Sequence, residues 1–101
     1  MSERTFIQPN ELKALMAHKE MLTIIDVRSP EEFAVGHVEG AINIPADHLQ
    51  SHASQLAPGG TIVTVCNFGG QRSCGAADLL QASGFADVRP LSGGVKDWQA
   101  E

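Results

Sequence analysis

The sequence predicts an α/β domain in which helices cover both faces of a parallel sheet. Short β-branched, apolar segments alternate along the chain with stretches of helical periodicity, the order typical of parallel sheets. Apolar residues make up 43% of the chain and charged residues 19%, enough for a packed core. Glycine and proline fall between these segments, with no repeat and no linker. Residues 1–101 are therefore predicted to form a single domain.

The predicted strands are apolar segments that end at turn residues. Residues 61–65 give the clearest strand, because all five are β-branched, and they lead straight into Cys66. The segment 41–45 ends at a proline, which cannot continue a ladder of hydrogen bonds. The predicted strands, in chain order, are 5–7, 22–26, 41–45, 61–65 and 87–89.

The predicted helices follow start and stop signals. Ser29-Pro30-Glu31-Glu32 is a capping box with proline at the first helical position, and this short helix should end near Gly36. The strongest helix begins near Arg72 and ends at Gly84. Apolar spacing indicates three further helical segments, which start at Pro9, span 46–56 with a weaker pattern, and span 95–101 around Trp98.

Charge and cysteine content exclude several classes of protein. Seven Lys and Arg against twelve Asp and Glu give a net charge of −5, which argues against a nucleic-acid or anionic-membrane surface. Two cysteines are too few for a disulfide scaffold. The start of the sequence lacks a signal-peptide pattern, and no apolar run approaches membrane-spanning length. We therefore expect a cytoplasmic protein in a reducing environment.

The segment with most chemistry is the loop from Cys66 to Ser73, between the carboxyl end of a buried strand and the start of a helix. Ligands bind at that edge in open α/β sheets. Gly69 and Gly70 permit positive φ and close approach, so the loop can turn its N–H groups inward around an anion. The helix start and Arg72 add positive charge. Cys66 therefore lies where a thiolate is favoured.

Magnitudes indicate that this loop acts as a unit. A thiol of pKa about 8.5 is only a few per cent ionised at pH 7, and lowering its pKa to about 6 requires roughly 3.4 kcal/mol. A helix dipole supplies typically about 0.3–1 kcal/mol. Several N–H contacts or Arg72 must therefore contribute as well. Taken alone, Cys66 would more often be a small buried residue, but the two glycines and the arginine favour chemistry.

Four segments resemble, in order, the signatures of rhodanese-homology domains. Residues 25–33 and 36–45 resemble the amino-terminal signature, Cys66 and its glycine-rich loop resemble the active-site loop, and 91–98 resemble the carboxyl-terminal signature. The resemblance covers essentially the whole chain. It implies a rhodanese-like three-layer α/β/α fold whose sheet has five strands, mainly parallel, with helices on both faces.

The same resemblance implies a thiosulfate sulfurtransferase with Cys66 as catalytic nucleophile. Its thiolate would take the outer sulfur of thiosulfate or a persulfide donor and pass it to a thiol or cyanide acceptor. Small anionic donors and thiol acceptors, free or protein-borne, would be the partners, with no nucleic acid, membrane, metal or organic cofactor. The residues expected to bind substrate are Asn67, Phe68, Gly69, Gly70, Gln71, Arg72 and Arg28.

The length of the loop keeps other functions open. Cys66 to Arg72 spans seven positions, whereas sulfurtransferases of this family usually have six. Seven resembles the rhodanese-fold phosphatases and related arsenate reductases, in which the same cysteine would attack an oxyanion. Gln71 stands where those phosphatases have an acidic residue, so a proton donor is missing. A non-catalytic binding module is a third interpretation, against which Cys66 and Arg72 weigh.

Other residues have two interpretations each. Cys74 either resolves an oxidised Cys66 as a disulfide or is a small packed side chain, and we favour the second. Asp26 and Arg28 either position the loop or help to receive an anion, or they form a local ion pair and turn cap. His48 and His52 stand four apart but have no third ligand, so no zinc site is expected.

Overall fold

The computed structural model describes residues 6–18, 21–56, 60–67 and 70–100. Four strands in these residues form one parallel sheet in the order β2-β1-β3-β4. Five α-helices in the same described residues accompany the sheet. The elements, in chain order, are α1 (Pro9–His18), β1 (Leu22–Asp26), α2 (Pro30–Val35), β2 (Ile42–Asn43), α3 (Leu49–His52), β3 (Thr61–Val65), α4 (Gln71–Ala82), β4 (Asp87–Pro90) and α5 (Gly94–Ala100).

The prediction of five strands is wrong for the described residues. The expected first strand is reduced to Ile7, which forms a single parallel bridge with Leu91 beside β4. Its N–H donates to Pro90 O at 3.0 Å, and its carbonyl accepts from Ser92 N at 2.9 Å. Pro9 starts α1 two residues later, so the extended segment ends before a second pair forms. Thr5 lies outside the described residues.

The strand predicted over 41–45 is also shorter than expected. Pairing of β2 with β1 is limited to Ile25 with Ile42 and Asp26 with Asn43. Ile44 still donates to Asp26 O at 3.0 Å, but Pro45 has no N–H with which to extend the ladder. The chain then enters the 3₁₀ turn Ala46–His48, α3 and a second 3₁₀ turn, Ala53–Gln55.

Two apolar clusters lie on opposite faces of the sheet, as predicted for a covered parallel sheet. Alternate residues of β3 point into different clusters. One cluster joins the sheet to α3 and α4, and its members include Ile25, Ile62, Leu49, Ala76 and Leu80. The other joins the sheet to α1 and α5, and its members include Ile24, Val63, Val65, Leu12 and Val95.

Most predicted helix boundaries agree with the structure. The capping box of α2 is complete, with the Ser29 hydroxyl accepting from Glu32 N and the Glu32 carboxylate accepting from Ser29 N. The strongest helix runs from Gln71 to Ala82, and Gly84 after it has φ +107°. Glu101 of the last predicted helix lies outside the described residues.

Candidate active site

The topology places two chain segments side by side at one edge of the sheet. After β1 the chain turns toward β2, whereas after β3 it turns toward β4 on the other side. Asp26 pairs with Val65 where the two central strands end. Ligand sites of open α/β sheets form where connections diverge in this way. The segments 26–28 and 65–67 are therefore adjacent at the divergence point.

Cys66 follows β3 directly and lies in a closed ring of hydrogen bonds. Its side chain is buried, with the residue only 3% exposed. Gly70 N donates to Cys66 Sγ at 3.2 Å, and the thiol donates to Ser73 Oγ at 3.3 Å. Ser73 Oγ in turn donates to Gly70 O at 3.2 Å. The sulfur therefore has a backbone N–H and a hydroxyl beside it, the two kinds of group that stabilise a thiolate.

Ser73 is a residue of the site that the sequence reasoning did not single out. It is fully buried in the first turn of α4, and Thr64 Oγ1 donates to its carbonyl at 2.8 Å. This bond connects the first turn of α4 to β3, so the hydroxyl is fixed relative to Cys66. A serine in the first turn of the helix that follows the loop was the available signal, because such side chains often bond back to nearby backbone.

Arg28 holds the loop from the side of β1. Its guanidinium forms a bidentate pair with Asp26, with Nε and Nη2 at 2.9 Å and 2.7 Å from the two carboxylate oxygens. Nη1 donates to Asn67 Oδ1 at 3.1 Å, and Nη2 donates to Gly36 O at 2.6 Å. The hydrogen bond to Asp26 raises the pKa of Arg28 above its usual value, although burial acts in the opposite direction.

This geometry combines two of the interpretations of Asp26 and Arg28, the local ion pair and the positioning of the loop. Asp26 is fully buried and Arg28 is 4% exposed, so the pair positions Asn67 from beneath the loop. Contact between Arg28 and an anion stays a prediction.

Glu32 connects both ends of the loop, a role that sequence reasoning missed. Its Oε2 accepts from Asn67 Nδ2 at 2.6 Å, and its Oε1 accepts from Arg72 Nη1 at 3.2 Å. The same Oε1 accepts from Ser29 N at 3.1 Å within the capping box. The hydrogen bond from Arg72, then those from Ser29 and Asn67, lower the pKa of Glu32 to about 2. Glu32 is therefore a carboxylate at the mouth of the loop.

The start of α5 fixes the backbone of Cys66 from the third side. Val95 N donates to Cys66 O at 2.9 Å, and Lys96 N donates to Asn67 O at 3.1 Å. Gly94, with φ +61°, lies so close that a Cβ there would be 2.2 Å from Cys66 O. The segment 91–98 therefore matters to the site through its backbone.

A small cavity opens beside the sulfur. Its volume is about 270 Å³ and its lining includes Cys66, Asn67, Gly70, Gln71 and Arg72, all among the predicted site residues. Gly70 has φ −97°, so it does not adopt the positive φ that a glycine permits at this position. Phe68 and Gly69, also predicted to bind substrate, lie outside the described residues. A second cleft of about 350 Å³ shares Asn67 and also includes Arg28, Glu32, Gly36 and Lys96.

The remaining candidates are placed as follows. Cys74 is half-buried in α4, and neither it nor Cys66 is in a disulfide. His52 is bonded through Nδ1 to His48 O at 2.9 Å. The described part of the chain contains no group of three or more metal-ligating residues. Within the same residues, every helix is too short or too polar to cross a membrane.

Comparisons with known proteins agree with the fold. The model of the rhodanese-like domain family matches residues 8–101. Thiosulfate sulfurtransferase 16 of Arabidopsis thaliana, a chloroplastic protein, is 33% identical over 89% of this chain and 87% of its own length. Thiosulfate sulfurtransferase GlpE of Ectopseudomonas mendocina is 32% identical over 99% of this chain and 89% of its own length.

Solved structures give the same result. The human single-domain sulfurtransferase TSTD1 superposes with a TM-score of 0.83 at 28% identity, covering 98% of both chains. A rhodanese-related protein from Thermoplasma volcanium gives a TM-score of 0.84 at 26% identity, over 97% of this chain and 92% of its own. The chain belongs to the rhodanese-like domain family and is a rhodanese-type transferase.

Proposed function

We propose that this protein moves sulfane sulfur from thiosulfate or a persulfide donor to a thiol or cyanide acceptor, through a persulfide on Cys66. The observation that carries the proposal is the placement of Cys66 Sγ, bonded to Gly70 N at 3.2 Å beside a cavity of about 270 Å³. The relatives named thiosulfate sulfurtransferase support thiosulfate as one donor. A reducing, cytoplasmic location is part of the proposal.

The first half-reaction transfers one sulfur atom to the enzyme. The Cys66 thiolate attacks the outer sulfur of thiosulfate, the S–S bond of the donor breaks, and sulfite leaves with the electron pair. Gly70 N–H and the Ser73 hydroxyl face the attacking sulfur. To stabilise the thiolate, the Ser73 hydroxyl turns its proton from Gly70 O to the sulfur.

The second half-reaction returns the enzyme to its starting state. An acceptor thiolate or cyanide attacks the outer sulfur of the Cys66 persulfide, and Cys66 leaves again as a thiolate. Asn67, Gly70, Gln71 and Arg72 line the cavity in which this sulfur is held. Phe68 and Gly69 remain predicted substrate-binding residues. Arg28 positions Asn67 through its bond to Oδ1.

Phosphatase or arsenate reductase chemistry is the second candidate, favoured by the seven positions from Cys66 to Arg72. A loop of this length suits a tetrahedral oxyanion, and Cys66 would be the same nucleophile. Gln71 lines the cavity where an acid would be needed to protonate the leaving group. Sulfur transfer needs no such acid, because sulfite and thiolates leave as anions.

The intact mass of the protein tests the proposal. The wild type and Cys66→Ser are incubated with thiosulfate, weighed by mass spectrometry, and then exposed to cyanide. We expect the wild type to gain one sulfur atom, about 32 Da, and cyanide to remove it. Cys74→Ser should behave as the wild type. No gain in folded, reduced wild type, together with cleavage of an aryl phosphate or reduction of arsenate, would establish the second candidate.

A further inference from the structure

We propose that Glu32 sets the charge selectivity of the donor site, so that the loop favours sulfur donors of low charge over dianions such as thiosulfate. Glu32 achieves this by holding the guanidinium of Arg72 across the mouth of the loop. The inference deepens the proposed function by naming its preferred class of donor, persulfides, which carry at most one negative charge at the reacting end where thiosulfate is a dianion. It rests on that function for the substrates, but not for the electrostatics of the site.

The Glu32 carboxylate lies between two residues of the loop region. Glu32 bonds to Asn67, which directly follows Cys66, and to Arg72, which ends the loop, at 2.6 Å and 3.2 Å. An anion that enters the cavity beside Cys66 therefore meets an Arg72 guanidinium that is already paired with the Glu32 carboxylate. The side chains of Arg72 and Glu32 are 45% and 34% exposed, so both charges lie at the entrance.

The charged side chains around that entrance largely cancel each other. Arg72 and Glu32 cancel each other, and Arg28 is cancelled by its buried partner Asp26 at 2.7 Å. Lys96 contributes one positive charge to the neighbouring cleft. The attacking Cys66 thiolate adds a negative charge of its own. A dianion beside Cys66 is therefore attracted by the N–H of Gly70 and the start of α4, with no surplus charge from Arg72.

The effect of the Glu32 charge on binding depends on the charge of the anion that is bound. Coulomb's law in a water-like dielectric makes one carboxylate at about 6 Å worth roughly tenfold in the binding of a dianion and roughly threefold for a monoanion. Ionic strength of about 0.1 M reduces both factors. An uncharged reagent should not respond at all. The three classes of probe therefore separate an effect of charge from a general change in access.

Glu32→Gln is the informative variant. Glutamine at this position of a capping box still accepts from Ser29 N, so the start of α2 is retained while the charge is removed. Glu31→Gln removes a charge from the neighbouring, exposed residue of the same helical turn and is the matched control. Arg72→Gln is a second variant, expected to weaken anion binding at the same site.

The measurement uses sulfate as an unreactive dianion. Alkylation of Cys66 by uncharged iodoacetamide is followed by peptide mass mapping, which separates Cys66 from Cys74, at constant ionic strength of about 0.1 M. We expect Glu32→Gln to lower the sulfate concentration for half-protection about three- to tenfold, and Glu31→Gln to change it less than twofold. Nitrate protection should shift less than sulfate protection. The KM for thiosulfate should fall in parallel.

The outcomes separate the two proposals. Equal sulfate protection of the wild type and Glu32→Gln, or an equal shift in Glu31→Gln, would overturn the role of Glu32. Unaltered sulfate protection in Arg72→Gln would overturn it as well. Sulfate protection needs no sulfur transfer, so a protein that never forms a Cys66 persulfide yet shows the shift would contradict the proposed function alone.

Discussion

The thiol of Cys66 begins a short chain of hydrogen bonds that ends at the carbonyl of Gly70. Cys66 donates to Ser73 Oγ and Ser73 donates to Gly70 O, while Gly70 N donates back to the sulfur. When the thiol ionises, the Ser73 hydroxyl can reverse and donate to the thiolate. Hydrogen bonds to a charged group contribute about 1.5–3 kcal/mol, more than a helix dipole typically supplies. Ser73 is therefore as important to the reactivity of Cys66 as the start of α4.

Substituting Ser73 tests this point. We expect Ser73→Ala to raise the pKa of Cys66 and to slow its alkylation at pH 7 about tenfold or more, because the thiolate loses a donor. Ser83→Ala is the control, since Ser83 lies in the turn after the same helix and its hydroxyl donates to Leu79 O. The rate of alkylation is measured against pH. Superimposable profiles for Ser73→Ala and the wild type would contradict the role of the hydroxyl.

Glu32 should remain charged across the whole useful pH range. Its pKa of about 2 lies below the ordinary value of 4.5, mainly because of the hydrogen bond from Arg72. A lowered pKa means that its contribution to stability is complete above about pH 4.5 and is lost as the pH falls toward 2. Carboxyl ¹³C NMR of the wild type should therefore show Glu32 titrating near pH 2. In Arg72→Gln its midpoint should rise toward 4.5, and an unchanged midpoint would contradict the pairing.

Individual residues differed in how far the sequence could reveal them. Cys66, Gly70 and Arg72 were predictable, because they occur together in one short loop whose chemistry is local. Glu32 was predictable only as a helix cap, since its bonds to Ser29 are local too. Its contacts with Asn67 and Arg72 span 35 and 40 residues. Only the pairing of β1 with β3 brings α2 to the mouth of the loop, and no sequence spacing reports that.

Among the elements, α5 contacts the site directly through its backbone. Its first turn donates from Val95 N and Lys96 N to the carbonyls of Cys66 and Asn67. These bonds fix two consecutive peptide groups at the end of β3. They therefore define the direction in which the Cys66 side chain points away from the strand. The approach needs a residue without a Cβ at Gly94, where Cys66 O would be 2.2 Å away. The glycine is therefore required by contact as well as by φ.

Substituting alanine for Gly94 should lower the free energy of unfolding by more than the strain of a positive φ alone. We expect Gly94→Ala to lower the free energy of unfolding by about 2–4 kcal/mol, as overpacking against fixed backbone adds to the strain of φ +61°. Gly40→Ala is the matched control, because Gly40 has φ +85° but no atom within 4 Å of its Cβ position. It should cost about 1 kcal/mol. Urea unfolding measures both, and equal losses would show that contact with Cys66 is unimportant.

Element boundaries were predictable where local chemistry decides them. The β-branched run at Thr61–Val65 and the capping box of α2 agree with the structure. The two errors in the sheet also have local causes, but ones that act on pairing. Pro9 ends the extended segment at Ile7, and Pro45 ends β2 after two residues. Sequence patterns show that a segment can be extended, but pairing depends on how long a partner stays beside it.

At the scale of the whole molecule, one sheet joins two cores and the site. Residues on alternate sides of β3 pack into the cluster with α4 and the cluster with α1 and α5. Cys66 itself belongs to the first cluster, while its backbone is held by α5 from the second. Neither face can therefore be lost without releasing the loop. This dependence predicts that the described fold behaves as one cooperative unit, in line with the single domain expected from the sequence.

Matched core truncations test that cooperativity. We expect Leu12→Ala in one cluster and Leu80→Ala in the other each to destabilise the protein by about 2–5 kcal/mol, since both side chains are fully buried. Each should shift the urea midpoint of the circular dichroism signal without changing its slope. Cys66, only 3% exposed, reports on the loop through its alkylation rate. If either variant exposed Cys66 well before its helices unfolded, the two faces would be independent. Coincident midpoints in both variants would instead show that the reactivity of Cys66 depends on the packing of the whole sheet.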